Sequence, residues 1–269
     1  MNALERITRI LSKISKEKES LSGRISEYIQ IEETAKIKEE HNKSLKQLLV
    51  VSEHIADELG KHKDPSNKLS PEEKTEAILL LNKRLSQVNN TREKTEMIAH
   101  VIISYKNQKI TQDKTGAYTV LIIRRLVEQI KAQVSTNKES AVGYAYLLSY
   151  LSHEIGDILE RYKYIMYSSM LPLDCLLGMY RVYFVFLKNT ENLNEAWLFI
   201  SSLLNYIEEI NSTFNPSVLL VFLDSLNGAM GTVFNNSWGK ILEYIRTKYL
   251  PLVDDRYKTE IQQIKSIIR

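Results

Sequence analysis

The residues of this sequence that could do chemistry are five histidines and one cysteine. His153-Glu154 begins the pattern of a zinc protease but lacks the second histidine of H-E-x-x-H. The other histidines have no metal-ligand spacing between them; they are His41, His54, His62 and His100. Cys175 lies in an apolar run, which favours a buried structural thiol over a nucleophile. Because the sequence also contains no phosphate-binding glycine loop and no nucleophile elbow, no residue pattern argues for an enzyme, and we predict that the chain is not one, although a catalytic site could still assemble from distant residues.

Anion binding is the second kind of chemistry that the residues suggest. Between Lys61 and Lys131 the chain carries 14 Lys and Arg against 8 Asp and Glu, whereas residues 1–60 and 132–269 are slightly acidic. Basic residues that folding brings together bind phosphate groups or RNA backbone, although a solvated basic surface remains the plainer interpretation. Tyr105 and Tyr118 are the only aromatic residues of this segment, which disfavours stacking on single-stranded bases.

Helices must position these residues. Nine Gly and five Pro leave little turn chemistry for many short strands, and alternating strand patterns are nearly absent. Apolar residues instead recur at helical spacing in successive segments from about residue 44 onwards. The first clear start is Ser70-Pro71-Glu72-Glu73, with Ser as N-cap, Pro at the first helical position and Glu closing a capping box. We predict an all-α fold of antiparallel helix pairs stacked as in HEAT repeats.

The beginning of the chain has a different pattern. Apolar residues follow a heptad spacing there, interrupted once by Lys18; they are Leu4, Ile7, Leu11, Ile14, Leu21, Ile25 and Tyr28. This predicts a coiled-coil-like helix that either packs on its own domain or pairs with another chain. We therefore divide the chain into an N-terminal heptad helix, residues 1–45, and a helical-repeat domain, residues 46–269.

Composition limits the environment. Hydrophobic residues make up 43% of the 269 and charged residues 26%, as in soluble proteins with a buried core. A single cysteine excludes an intrachain disulfide framework and favours a reducing compartment. The most apolar stretch, 170–187, contains Pro172, Asp174 and Arg181, so we expect a core helix and no membrane partner.

A family resemblance begins in the middle of the chain. The stretch from Ala117 to Ala141 has an Ala-Tyr helix start, Arg124 in a long apolar helix, and the step Lys138-Glu139-Ser140-Ala141 after a Gln-rich helix end. It resembles the C-terminal domain of the GLFG-lethal-one (Gle-one) mRNA export factor of the nuclear pore.

Three further stretches resemble that family in the same order. They are the basic loop Lys61-His62-Lys63 with Asn67-Lys68-Leu69, the step at residues 154–159, and the closing helices from Asn215-Pro216 to Leu250-Pro251. The resemblance covers about residues 45–255, with an insertion of about twenty residues between Lys94 and Asp113. The heptad helix stands where the family has a longer coiled coil.

The resemblance implies a function. Members of this family have a helical-repeat domain that binds and stimulates an RNA-dependent DEAD-box ATPase at the cytoplasmic face of the nuclear pore, which releases export factors from mRNA. A pore protein anchors them, and inositol hexakisphosphate bridges the two proteins in some members. The implied partners are therefore the ATPase, a pore anchor and a coiled-coil partner through residues 1–45, without sequence-specific binding of nucleic acid.

The family's polyphosphate pocket is matched only in part. Lys63 corresponds to a basic loop position and Arg124 to a helical lysine, but Glu128 stands where the family has a histidine. The third basic cluster of the family falls on Tyr164–Ser169, where this sequence has no Lys or Arg. Because Arg124 and Glu128 are one helical turn apart, we expect them to pair with each other. We predict that the chain binds inositol hexakisphosphate weakly or not at all.

Two other functions remain open at this point. The first is a helical scaffold or tether in translation initiation or vesicle traffic, without an ATPase partner. The second is an RNA-binding helical protein that uses the basic middle segment.

Overall fold

The computed structural model describes residues 68–167, 171–205 and 216–269. Within these ranges the chain is helical and contains no strand, which confirms the predicted all-α class. The predicted heptad helix and its boundary at residue 45 lie outside the described residues, as do Lys63 and the basic loop around it.

The described ranges contain helices of 10 to 29 residues. They are α1 Pro71–Leu85, α2 Arg92–Lys109, α3 Thr115–Gln133, α4 Ala141–Glu154, α5 Ile158–Tyr167, α6 Leu173–Asn189, α7 Leu193–Asn205, α8 Pro216–Tyr244 and α9 Lys258–Ile267. A π-helical turn, Ile245–Tyr249, and short 3-10 turns extend α8 towards α9. The last turn of α2, up to Lys109, is polar and faces water.

The helices stack in two layers. Each of α2, α4, α6 and α8 packs against the next one in this series, and α1, α3 and α5 form the second layer in the same way. Consecutive helices such as α1 and α2 contact each other across the layers. This arrangement confirms the predicted stack of helix pairs, in which each pair buries its apolar face against the neighbouring pairs.

Local sequence explains where α1 begins. The Glu73 amide donates to Ser70 Oγ at 3.2 Å, and the Ser70 amide donates to Glu73 Oε2 at 2.7 Å. Pro71 occupies the first helical position, as the sequence predicted. Removing such a cap costs about 0.5–2 kcal/mol.

Close contacts fix α4 against the turn between α1 and α2. The Tyr144 hydroxyl donates to the Leu85 carbonyl at 3.1 Å, and the Gly143 amide donates to Asn90 Oδ1 at 3.3 Å. The Thr95 hydroxyl bonds the Asn89 carbonyl at 2.9 Å. These bonds satisfy buried polar groups of the turn and set the register of α4 on the first helix pair.

The long helix α8 has a break in its middle. Asn235 has φ 41° and ψ −116°, so the backbone turns there between two helical segments. The buried Trp238 lies after the break, and its indole nitrogen donates to Asn227 Oδ1 at 2.8 Å.

One described helical segment, Pro216–Leu252, is long and apolar enough to cross a membrane by composition. Core helices of globular proteins have the same composition, and 44% of its most apolar window is buried inside the protein. Arg181 on α6, only 12% exposed, bonds Asp224 of this segment at 2.6 Å, as expected for a helix packed within a fold.

Candidate functional site

The predicted polyphosphate residues lie on the middle of α3. Arg124 is half-buried and Glu128 is exposed one turn later. Glu128 Oε2 lies 2.7 Å from Arg125 Nη1, so Glu128 pairs with the arginine that follows Arg124 in the sequence. Residues three apart, like residues four apart, are neighbours on a helix. An acidic group therefore lies beside the basic residues of α3.

The two cations nearest to the missing third cluster are also paired with carboxylates. Arg161 Nε bonds Asp157 Oδ2 at 2.6 Å, which ties the side chain to the start of its own helix, α5. Lys163 Nζ lies 3.0 Å from Glu160 and 3.3 Å from Glu195. Burial alone would lower the pKa of Lys163, but the hydrogen bonds and negative charges of these two carboxylates outweigh it and raise the pKa.

The ion pairs of these cations bear on whether they could bind a polyphosphate. A ligand with many phosphates needs several converging cations whose charge is not already balanced. On α3 and α5, which contact each other, Arg125, Arg161 and Lys163 each have a carboxylate partner from this chain. The charge of these three cations is therefore already balanced by carboxylates of this chain.

Glu195 organises a polar network that the sequence analysis did not identify. It accepts hydrogen bonds from the Tyr183 hydroxyl, from Lys163 Nζ and from Asn192 Nδ2. Burial raises the pKa of Tyr183, with further contributions from Tyr167 and the Glu195 carboxylate. The pattern Asn192-Leu193-Asn194-Glu195 is a capping-box sequence and could have indicated the start of α7, but the partners on α5 and α6 are set by packing.

The tyrosines of the fold are core residues. Tyr118, Tyr144 and Tyr162 are fully buried, and each hydroxyl donates to a main-chain carbonyl of another helix. Tyr105 and Tyr118 pack on each other with ring centroids 5.6 Å apart. The two aromatic residues of the basic segment are therefore buried and cannot stack on RNA bases.

The cysteine and the described histidines have the following surroundings. Cys175 is buried, as predicted, and burial raises the pKa of its thiol, with a further contribution from Asp174. Of the five histidines, His100 and His153 are described; His100 lies 3.8 Å from Glu96, and His153 Nδ1 contacts the Ser149 carbonyl. In the described ranges no group of three or more metal-ligating side chains comes together.

An aromatic cluster reaches the surface where α7 meets the break in α8. Trp197 and Phe234 are half-buried with ring centroids 4.6 Å apart, and Trp238 lies 6.4 Å from Trp197. Beside them Leu198 is 58% exposed and Val233 is 56% exposed. Exposed apolar groups next to aromatic rings are typical of protein-interaction surfaces.

Comparison with known proteins identifies the fold. A chain from a solved structure of the S. cerevisiae Dbp5 C-terminal domain bound to Gle1 and IP6 matches with a TM-score of 0.68. The match covers 84% of the present chain and 93% of that chain, at 12% sequence identity. Neither a protein family nor a curated protein matches the sequence. The likeness therefore concerns the fold, a stack of helix pairs.

Proposed function

We propose that this chain is a non-catalytic activator of an RNA-dependent DEAD-box ATPase in mRNA export. The observation that carries the proposal is the likeness, over 84% of the chain, to a chain from the complex of Dbp5 with Gle1. The sequence resemblance is to the GLFG-lethal-one family, so we assign the likeness to the Gle1 component of that complex.

Such an activator acts by binding. It favours one arrangement of the two lobes of the ATPase because it binds that arrangement better than the others, and it changes the rate without supplying a reacting group. In support of this role, the described residues form a two-layer helical stack with exposed apolar groups. We place the activity at the cytoplasmic face of the nuclear pore, with a pore anchor protein and a partner for residues 1–45.

We further propose that the activator works without inositol hexakisphosphate. The ion pairs of Arg125, Arg161 and Lys163 support this, because their carboxylates would lie inside or beside a ring of phosphates. Displacing those carboxylates would cost the energy of each charge-assisted hydrogen bond. Docking on the ATPase must then be a direct protein–protein contact.

The test is RNA-dependent ATP hydrolysis by the export DEAD-box protein of the same organism. The rate is measured with and without the chain, and each time with and without inositol hexakisphosphate. We expect the chain alone to stimulate hydrolysis and the polyphosphate to add nothing. Full-length protein is used throughout, and its helicity by circular dichroism serves as the control for folding.

Each outcome assigns the function. If the chain stimulates hydrolysis only with inositol hexakisphosphate, the activator function is supported, and the proposal that it works without the polyphosphate is refuted. If the chain neither stimulates nor binds the ATPase, the activator function is contradicted and the scaffold class is favoured. Strong binding of RNA by the chain alone, falling steeply with salt, would favour the RNA-binding class.

A further inference from the structure

The aromatic cluster at the break in α8 supports an exposed apolar patch. Trp197 of α7 and Phe234 of α8 are half-buried, and their ring centroids lie 4.6 Å apart. Leu198 follows Trp197 and is 58% exposed, and Val233 precedes Phe234 and is 56% exposed. Since neighbouring Cα atoms are about 3.8 Å apart and each ring lies one side chain from its Cα, the Cα atoms of Leu198 and Val233 lie within about 20 Å of each other. One standard protein–protein interface, about 800 Å² per partner, covers both.

The base of this patch is fixed by packing and by a hydrogen bond. Trp238 is 2% exposed, and its ring centroid lies 6.4 Å from that of Trp197 and 6.2 Å from that of Phe222. Its indole nitrogen donates to Asn227 Oδ1 at 2.8 Å. Side chains that are already ordered in this way lose little freedom when a partner covers them. The exposed apolar residues therefore stand on a support that is ready for binding.

The patch is uncharged, although charged residues make up 26% of the chain. No Asp, Glu, Lys or Arg occurs in residues 196–205 of α7 or in residues 225–239 around the break in α8. Glu195, the one charged residue of α7, is bonded to Lys163 and Tyr183. Depletion of charge at the centre is typical of protein interfaces. A surface without charge does not attract an acidic or a basic partner, and it does not repel an identical copy of itself.

The polar residues at the break are self-complementary. Asn235, Asn236 and Ser237 are exposed, and their amides and hydroxyl both donate and accept hydrogen bonds. Such groups can bond the same groups of a second copy, whereas two lysines or two carboxylates cannot. Asn235 has φ 41°, a backbone that glycine adopts at lower cost, and its side chain makes no hydrogen bond within the described ranges. Strain that no internal bond offsets is typical of functional positions.

We propose that this patch binds a second copy of the chain, patch to patch across a twofold axis. In such a contact the same surface is used on both copies, so that it must be complementary to itself. Leu198 and Val233 supply the apolar centre, and Asn235 and Asn236 bond across the axis at its edge. This inference does not depend on the proposed function, because it concerns the chain alone.

The experiment measures the association of the full chain by sedimentation equilibrium at concentrations up to about 100 μM. The patch variant is Leu198→Lys, Val233→Lys, which brings like charges of the two copies together. The matched control is Leu79→Lys, Met97→Lys, which charges residues of α1 and α2 that are 64% and 69% exposed. We expect the natural chain and the control to form a dimer, and the patch variant to associate at least about tenfold more weakly. Circular dichroism and Tm confirm that each variant is folded.

A pair of oppositely charged variants tests whether the patch meets itself. Leu198→Glu, Val233→Glu should associate as weakly as the lysine variant when it is alone, because it also brings like charges together. Mixed in equal amounts, the two variants should form a heterodimer whose affinity falls as salt rises. Association of the natural chain should instead strengthen in sulfate, because burial of apolar surface is favoured by such salts.

Asn235→Gly separates the side chain from the backbone. Glycine adopts the positive φ without strain, so we expect a Tm no lower than that of the natural chain. Loss of one amide from each copy should weaken the dimer by about fivefold or more. An unchanged affinity would contradict the place of Asn235 at the edge of the contact.

Four results would overturn the dimer. The first is a natural chain that is monomeric at every concentration. The second is association that the patch variant weakens no more than the control, as for pairing through residues 1–45. The third is failure of the oppositely charged variants to associate when mixed, since the patch would then contact a different surface. The fourth is a monomeric chain whose binding to the DEAD-box ATPase is lost in the patch variant, which would assign the patch to the ATPase.

Discussion

At the scale of single residues, Gly143 shows how tightly α4 is held against the first helix pair. A Cβ atom at this position would lie 2.3 Å from the Asn89 carbonyl oxygen and 2.7 Å from its carbon. Both obstacles are backbone atoms, which cannot rotate away. We expect Gly143→Ala to lower the free energy of unfolding by about 1–3 kcal/mol, measured by urea denaturation.

Gly228 provides the matched control. It lies exposed within α8, and a Cβ there would meet nothing within 4 Å. Because alanine loses less backbone entropy than glycine in a helix, Gly228→Ala should raise the free energy of unfolding by about 0.5–1 kcal/mol. Equal effects of the two substitutions would show that α4 does not approach the α1–α2 turn this closely.

At the scale of elements, the end of α6 is a second position where one residue decides local structure. Glu191 has φ 56°, in the left-handed region, and the Asn192 amide closes the helix end by donating to the Leu187 carbonyl at 2.9 Å. Glycine adopts this backbone without the steric cost of a side chain. We expect Glu191→Gly to stabilise the fold by about 0.5–1 kcal/mol in urea denaturation, because relief of the left-handed strain outweighs the freedom that glycine adds to the unfolded chain.

The control for this prediction is Glu154→Gly at the last residue of α4, which does not have a positive φ. There the glycine should destabilise, because it adds freedom to the unfolded chain without relieving strain. Destabilisation by both substitutions would contradict the left-handed helix end at Glu191.

Elements were predictable where their signals are local. The capping box at Ser70 depends on neighbouring residues, and the structure confirms it. The sequence could not separate Gly143 from Gly228, because the atoms that crowd Gly143 come from a turn some fifty residues away. The candidate site was less predictable for the same reason, since the partners of Lys163 and Glu195 depend on how α5, α6 and α7 pack.

At the scale of the whole molecule, the buried tyrosines make stability sensitive to alkaline pH. Burial raises the pKa of the phenol groups of Tyr118, Tyr144, Tyr162 and Tyr183 above the ordinary value of 10.0. Burial also raises the pKa of Tyr249 to about 12. These side chains come from helices across both layers, so they report on the fold rather than on one contact.

The sign of the effect follows from linkage. A group with a raised pKa in the folded state contributes its full stabilisation below the unfolded pKa, and this contribution is lost as pH rises through the folded pKa. For Tyr249 the loss falls between about pH 10 and about pH 12. Each buried tyrosine should lower the free energy of unfolding by about 1.4 kcal/mol per pH unit in that range.

We therefore expect the chain to unfold cooperatively in alkali, with the tyrosinate absorbance of the buried tyrosines appearing in the same transition as the loss of helix by circular dichroism. Between neutral and alkaline pH, the free energy of unfolding of Tyr144→Phe should fall less than that of the natural chain, because one ionising group is removed from the core. The lost hydrogen bond to the Leu85 carbonyl lowers stability equally at all pH values below the transition, which separates the two effects. Ionisation of the full set of tyrosines near pH 10 with helicity intact would contradict the burial of these side chains and, with it, the packing of the two layers around them.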